Sequence, residues 1–132
     1  MAAQAVNLAD VQGLVYKGYR RHEYAGYLFA KLAPGEASRA WLHSVPVATA
    51  APDPTHAPKI HVAFARSGLA AVGVPEAVLA NLPQELSEGM AARAKTLGDA
   101  AETWKLCDGL DVLLLIYATS DDERRTVMKQ QR

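Results

Sequence analysis

The stretch DVLLLIYATSDDERR, residues 111–125, carries the two signals that decide the fold. Residues 112–118 are apolar on both faces, which predicts a central strand covered on at least one side by helices. Ser120 and Glu123, three residues apart, form a capping box, and Asp121 adds negative charge at the positive helix end. The stretch therefore predicts a buried central strand that leads directly into a well-started surface helix.

Two more strands are predicted upstream of this stretch. Residues 24–32, YAGYLFAKL, alternate apolar and more polar or aromatic positions, and residues 59–65, KIHVAFA, place Ile60, Val62 and Phe64 on one face. Pro34-Gly35 ends the first strand and opens a helix with Ala37, Trp41 and Val45 four residues apart on one face. Residues 45–58 contain four prolines and no periodic pattern, so they are predicted to form a loop or an extended connector.

A helical excursion is predicted between the second and third strands. Ser67 is the expected cap of its first helix, and Asn81 with Gln84 is the expected capping box of its longest helix, residues 82–99. Gly98 is a natural stop. An interior glycine is costly in a helix, so Gly89 is expected to have a packing reason. Apolar residues at helical spacing are expected to cover the sheet: Leu86, Met90 and Leu97.

The order strand, helix, strand, helical excursion, strand, helix predicts an α+β protein with the ferredoxin-like split β-α-β arrangement and an antiparallel sheet. That arrangement needs a final strand beside the first one, and here it is lacking unless a partner chain supplies it. The edge of the strand at 24–32 is then open, and open edges pair with other chains. The expected organisation is an N-terminal arm with a short helix at 1–23 and an incomplete ferredoxin-like domain at 24–132, with a helical insertion at about 67–99.

Composition narrows the classes of partner. The chain has 132 residues and equal numbers of acidic and basic residues, 14 each, so no net field attracts nucleic acid or a membrane surface. Cys107 is the single cysteine and is expected to be a small half-buried residue, which fits a reducing compartment. No signal peptide is recognisable, and the longest apolar run is too short to span a bilayer. The expectation is a soluble, cytoplasmic protein.

Several stretches together resemble the N-terminal, ferredoxin-like portion of the dye-decolorising (Dyp-type) haem peroxidases. The resemblance spans nearly the whole chain, and its most specific part is the pattern Glu88-Gly89-Met90, Arg93, Leu97-Gly98-Asp99. Ala65-Arg66 replaces the usual threonine-containing pair, and Leu86 stands where an aromatic residue is commoner. The matching stretches are DVQGLVYKGY (10–19), AWLHSV (40–45), VAFARSGLAAVGV (62–74), ELSEGMAARAKTLGD (85–99), Trp104 and VLLLIYA (112–118).

The resemblance implies a set of structural motif residues but no catalytic residue in this chain. In the family the GxxDG aspartate, the proximal histidine and the distal arginine belong to the portion beyond these motifs. Asp108-Gly109 lacks the first glycine of that motif, because Lys105 occupies its position. The motif residues are Gln12, Gly13, Phe64, Gly68, Leu69, Glu88, Gly89, Met90, Arg93, Gly98, Asp99 and Trp104.

Haem is expected for the complete family enzyme, and this chain alone is expected to bind none. A haem peroxidase needs an axial ligand, a distal acid-base group and a cation. Surface or partly buried histidine is the expected state of all four histidines, with His61 on the polar face of its strand. No two of them have a metal-ligand spacing, so no metal site is predicted: His22, His43, His56 and His61.

Three interpretations follow from these features. In the first, the chain is the N-terminal part of a Dyp-type peroxidase, as a split subunit, truncated product or fragment, and is inactive without the haem-bearing half. In the second, it is a stand-alone ferredoxin-like module that dimerises through the edge at 24–32 or binds a small apolar ligand. In the third, it is a self-sufficient peroxidase with one of the four histidines as ligand. Under each of them, Glu88, Arg93 and Asp99 are expected to bond to one another or to neighbouring loops and fix the long helix.

Overall fold

The computed structural model describes residues 5–107 and 109–132, without the side chains of Ala101, Leu106 and Cys107. The predictions for residues 1–4, the Cys107 side chain and Asp108 lie outside the described part. The described chain contains three strands: β1 (Tyr24–Ala30), β2 (Lys59–Phe64) and β3 (Val112–Ala118). Its helices are α1 (Gly13–Tyr16), α2 (Glu36–Ser44), α3 (Arg66–Ala71), α4 (Glu76–Leu79), α5 (Gln84–Leu97) and α6 (Asp121–Gln130), with 3-10 helices at Leu8–Asp10 and Ala101–Cys107.

The three strands form an open antiparallel sheet in the order β1-β3-β2, which confirms the α+β, ferredoxin-like class without its final strand. β3 lies in the centre, as its uninterrupted apolar sequence predicts. Its alternate residues, from Val112 through Leu114 and Ile116 to Ala118, are buried, and the residues between them are half-buried. This periodicity of two shows that one face of β3 carries the main core and the other face is only partly covered.

Helix α6 begins where the capping box predicts. The Ser120 hydroxyl accepts a hydrogen bond from the Glu123 N–H at 3.2 Å, and the Glu123 carboxylate accepts one from the Thr119 N–H at 2.8 Å. At Gly26 of β1, an added Cβ would lie 2.8 Å from the Met128 sulfur, so the helix packs closely on that strand. The absence of a side chain at Gly26 is what permits this close approach.

The described chain divides into two compact units. The first comprises residues 5–28, 45–62 and 114–132, with a core that includes Leu114 and Ile116, at 1% and 0% exposure. The second comprises residues 29–44 and 63–113 apart from residue 108, and its core includes Leu79 and Ala94, at 1% and 3% exposure. Among the described residues, no helix is long and apolar enough to cross a membrane.

The apolar residues of α2 do not share one environment, and the prediction of the cap of α3 was wrong. Ala37 of α2 is exposed, and the buried position is Ser38, whose hydroxyl donates to the Ala33 carbonyl and so satisfies its polar group inside the fold. Ser67 does not cap α3, because the helix starts two residues earlier than predicted, at Arg66, with Ala65 at the cap position. At the start of this helix the Ala65 N–H donates to the Asp111 carbonyl at 3.0 Å, a contact between distant segments that a local cap signal does not reveal.

The prediction of one continuous helix over 82–99 was also wrong. Helix α5 begins after Pro83, and its helical geometry is broken at Gly89, where φ is 74° and ψ is 173°. The Asn81 side chain donates to the Ala77 carbonyl instead of capping α5. An added Cβ at Gly89 would meet nothing within 4 Å, so the glycine is required by its backbone conformation and not by packing. Gly98 ends the helix in the left-handed conformation, as predicted.

Candidate functional site

The outer edge of β2 is closed by a side chain. Gln12 donates its amide N–H to the Val62 carbonyl at 2.9 Å and accepts from the Val62 N–H at 2.8 Å. One carboxamide thus satisfies both peptide groups that a neighbouring strand would otherwise bind. Two residues away, the Ile60 carbonyl accepts from the Ala48 N–H at 2.8 Å. Both peptide groups of Val62 and the carbonyl of Ile60 therefore have partners.

These closing groups belong to a small structure that we call the edge strap, residues 11–13 and 47–50. The Gly13 N–H donates to the Ala48 carbonyl at 2.9 Å, and the Ala50 N–H donates to the Val11 carbonyl at 2.8 Å. A Cβ at Gly13 would lie 2.7 Å from the Thr49 carbonyl oxygen and would overlap the Tyr19 hydroxyl. The motif residues Gln12 and Gly13 thus have a structural role, which is to seal the sheet at β2.

The outer edge of β1 has no equivalent. The Ala30 carbonyl accepts from the Asp111 N–H at 3.0 Å and so faces the sheet. Because peptide groups alternate along a strand, those of Ala25, Tyr27 and Phe29 point away from β3. Within residues 5–107 and 109–132, no backbone or side-chain group hydrogen-bonds to this side of β1. We call this side of the strand the open edge.

Aromatic side chains are concentrated on the open-edge strand. Tyr24, Tyr27 and Phe29 are 44%, 53% and 55% exposed. Their strand also alternates, with Gly26 buried and Leu28 and Ala30 half-buried on the side of the core. β1 therefore offers unpaired peptide groups together with exposed apolar surface, which are the two features of strands that pair with other chains.

An aromatic cluster surrounds the buried His61 in the first unit. The His61 ring stacks on the Tyr19 ring with centroids 5.5 Å apart and an interplanar angle of 17°, and Tyr117 lies 5.8 Å from Tyr19. His61 is only 2% exposed, and both of its ring nitrogens lack a hydrogen-bond partner in the described structure. Burial lowers the pKa of His61, while burial, followed by the neighbouring Tyr117, raises the pKa of Tyr19.

The expectation that His61 is surface-exposed or partly buried was wrong. His61 points to the face of β2 opposite the one that carries Ile60 and Val62. That face is covered at His61 because Tyr19 of the N-terminal arm stacks on its ring. His22 is also buried, at 9% exposure, and its Nε2 lies 3.0 Å from the Ala57 carbonyl. The sequence does show an aromatic residue in the arm, Tyr19, that could cover a buried side chain. Nothing in the sequence near Tyr19 indicates which strand it covers. His43 and His56 are exposed, as expected.

The first unit contains a cavity of about 660 Å³, the arm–loop cavity, lined by residues of the segments 17–22 and 46–59. Three polar contacts join the two segments. Arg21 Nη1 lies 3.1 Å from His56 Nε2, Lys17 Nζ lies 3.5 Å from the Ala51 carbonyl, and His22 contacts Ala57 as described. Lys59 is 5% exposed and pairs with Asp53, whose pKa is held far below its usual range chiefly by that hydrogen bond.

The second unit contains a cavity of about 590 Å³, which we call the helix cavity. Glu88, Gly89 and Met90, from the most specific part of the family resemblance, line it. Leu86 and Met90 line it and remain 38% and 44% exposed, while Leu97 is 45% exposed. The prediction that these three residues cover the sheet was therefore wrong. The helix is broken at Gly89, and the apolar residues on the two sides of the break border a cavity that Phe29 and Leu113 also line.

The polar motif residues on and after α5 form two separate local pairs. Arg93 Nη1 donates to the Glu88 carboxylate at 3.2 Å, and Trp104 Nε1 donates to the Asp99 carboxylate at 3.0 Å. The pKa of Glu88 is lowered, first by the Gln84 amide hydrogen bond and then by Arg93. Glu88 and Arg93 bond to each other across the break at Gly89, in keeping with a helix-fixing role.

The remaining motif residues meet around Gly68. A Cβ at Gly68 would overlap the Asp111 carbonyl oxygen and would lie 3.1 Å from the Phe64 ring, so only glycine fits there. The same Asp111 carbonyl accepts from the Ala65 N–H at 3.0 Å. Leu69 is half-buried on α3. The motif residues thus form packing and hydrogen-bonding groups in different parts of the fold, and their side chains do not converge on one reactive centre.

None of His22, His56 and His61 presents an unengaged Nε2 to either cavity. His61 is stacked flat on Tyr19 and lines neither cavity, and Nε2 of His22 and of His56 already contacts protein groups. A haem-ligating histidine needs a free nitrogen that faces the iron. Over the same residues, there is no cluster of three or more histidine, cysteine, aspartate or glutamate side chains that could hold a metal ion.

Comparison with known proteins adds no assignment. A scan against protein-family models found no match. A search of curated proteins found no match either. The geometry of the two sheet edges and the two cavities therefore carries the functional argument.

Proposed function

We propose that this chain is the N-terminal ferredoxin-like half of a Dyp-type haem peroxidase, and that it acts in the cytoplasm by joining the haem-binding half. The single observation that carries the proposal is the open edge of β1. The chain supplies no haem ligand and no peroxide-cleaving group in this proposal. Its role is to complete a sheet and to support the structure in which the other half binds haem.

The contrast between the sheet edges favours docking at β1. At β2, Gln12 and Ala48 satisfy the outward groups of Val62 and Ile60. At β1, an incoming strand would find alternate peptide groups free, and the ferredoxin-like arrangement places its final strand beside the first. Main-chain hydrogen bonds supply affinity in strand addition, and side chains such as Tyr27 and Phe29 supply specificity.

A haemin titration tests the catalytic part of this proposal. Haemin is added to the purified 132-residue chain, the absorption spectrum is recorded, and peroxide-dependent dye oxidation is measured on the same sample. We expect no stoichiometric, sharpened Soret band and no turnover. A defined band with turnover would overturn the proposal, and replacing His22, His43, His56 and His61 singly with alanine would then identify the ligand.

Amide hydrogen exchange tests the docking part of the proposal. In the isolated chain, the Tyr27 N–H is expected to exchange quickly, because it points to solvent at the open edge. The Val62 N–H is the internal control and is expected to be protected by Gln12. A Tyr27 N–H as protected as that of Val62 in a dilute, monomeric sample would show that the edge is already covered and would contradict the proposal.

A second candidate function is self-association through the same edge, favoured by the exposure of Tyr24, Tyr27 and Phe29. Two antiparallel β1 strands related by a two-fold axis would form a six-stranded sheet. Light scattering coupled to size exclusion separates the two candidates. A dimer that dissociates on dilution, with faster hydrogen exchange of the Tyr27 N–H in the monomer, supports self-association. A monomer at all concentrations supports a different partner.

A further inference from the structure

We propose that the arm–loop cavity is a binding site for a small polyanion, a molecule bearing clustered phosphate or carboxylate groups. The site is independent of whatever strand joins β1. It lies in the first unit, and its volume of about 660 Å³ falls within the range of small-molecule sites. The argument rests on the charge of its lining, on how that charge is held, and on the stiffness of its wall.

The lining has a clear excess of positive charge in a protein of zero net charge. Four cationic side chains line the cavity, and Asp53 is its one acidic lining residue. Asp53 is bound to the buried Lys59 and stays ionised, so these two groups neutralise each other. Among the described residues, Lys17, Arg20 and Arg21 form no salt bridge. Three positive charges therefore remain around one concavity.

These charges are positioned by neutral groups. Arg21 reaches across to the His56 ring, and Lys17 reaches toward the Ala51 carbonyl. Both contacts orient a cation over the cavity without using a carboxylate to neutralise it. Exposed cations on a convex surface are usually only solvated, but cations gathered on a concave wall reinforce one another's field. An oxyanion placed there gains charge-assisted hydrogen bonds from several donors at once.

The wall opposite the arm is stiffened by proline. Proline fixes φ and lowers the conformational freedom of the chain, so less ordering is needed when a ligand binds. His22, buried and close to the Ala57 carbonyl, anchors the end of the arm to the same wall. The prolines that line the cavity are Pro46, Pro52, Pro54 and Pro58.

Isothermal titration with sodium pyrophosphate and, separately, sodium citrate tests the proposal on the full chain at low ionic strength. We expect at least one of these ions to bind, and binding to weaken as sodium chloride is added. The double variant Lys17→Gln with Arg21→Gln should weaken the binding of that ion by about tenfold or more, because each removed contact is charge-assisted. Arg125→Gln, which removes an exposed α6 charge outside the cavity, should change affinity by less than about twofold.

The outcomes separate the two sources of negative charge and can also reject the site. Tighter pyrophosphate identifies a phosphate-bearing ligand, and tighter citrate identifies a polycarboxylate. If neither ion binds at about millimolar concentration, or if the double variant and Arg125→Gln bind alike, the proposal is wrong. Far-UV circular dichroism verifies folding of the variants. Arg20→Gln, at an exposed position, gives a second variant that should weaken binding if the double variant does not fold.

Discussion

The two outer strands of the sheet, β1 and β2, each leave a row of peptide groups without a strand neighbour on one side. At β2, the edge strap and the Gln12 side chain bind the outward groups of Ile60 and Val62. At β1, the outward groups face solvent beside exposed aromatic residues. The difference shows that this fold can seal part of an edge with very few residues, and that β1 carries no such seal within the described part of the chain.

The largest effect on stability is expected from a substitution at Gly13, in the edge strap that seals β2. A Gly13→Ala side chain would collide with the Thr49 carbonyl and the Tyr19 hydroxyl, so the strap must shift. We expect a loss of about 3 kcal/mol in the free energy of unfolding, measured by urea denaturation. Gly18→Ala is the matched control, because an added Cβ there meets nothing within 4 Å. Equal stability of the two variants would show that the strap does not support the fold.

A second variant removes the seal and leaves the strap backbone in place. Gln12→Ala deletes both hydrogen bonds to Val62 and should cost about 2 kcal/mol, because the peptide groups of a part-buried strand lose their partner. The Val62 N–H should also exchange faster, approaching the rate of the Tyr27 N–H. Gln130→Ala, on the exposed surface of α6, is the control. An unchanged Val62 exchange rate would mean that another group seals this edge.

The sealed side should also respond to pH through His61. Burial lowers its folded pKa below the ordinary value of 6.5, so the folded state keeps the ring neutral. Below about pH 6.5 the unfolded chain binds the proton first, and stability falls with acidification by at most about 1.4 kcal/mol per pH unit. Above that pH the contribution is constant. The carboxyls with lowered pKa titrate at more acidic pH and do not interfere in this window.

Urea denaturation between pH 7.5 and 5.5 measures this effect. His61→Phe, which keeps a flat ring against Tyr19, should flatten the pH dependence relative to the unsubstituted chain. His43→Gln, at an exposed position, should leave the dependence unchanged. A His61→Phe variant with the original slope would place the responsible proton elsewhere.

The smallest effect on stability is expected at the open edge itself. Ala25→Lys places a charge on an exposed strand position and should change the free energy of unfolding by less than about 0.5 kcal/mol. It should nevertheless weaken any association through β1, because an edge lysine opposes strand pairing. Ala77→Lys, on exposed α4, makes the same charge change off the sheet. Equal association of the two variants, measured by light scattering, would exclude β1 as the interface.

The elements that sequence reasoning predicted correctly are those with strong local signals. The apolar run of β3, the capping box at Ser120 and the left-handed stop at Gly98 each specify structure within a few residues. The sheet class followed because the order of such elements permits few arrangements. The open edge could be predicted for the same reason.

The features that sequence reasoning missed depend on contacts between distant segments. The seal at β2 joins Gln12 to Val62, fifty residues apart, and burial of His61 depends on where the arm places Tyr19. The break in α5 was missed because Gly89 lies within a strongly periodic helical pattern, which indicates packing and gives no information on φ. The arm–loop cavity was missed because the sequence shows only that basic residues are close together along the chain. It does not show that their side chains line the same cavity.

The seal made by Gln12 has a consequence for how far assembly can proceed. A sheet with two free edges can add copies at both ends without limit, and this is how fibrils grow. With the Val62 peptide groups and the Ile60 carbonyl bound, β2 offers no free partner at these positions, so an addition at β1 would not be repeated there. The Gln12 side chain and the edge strap would therefore limit growth of the sheet on the β2 side.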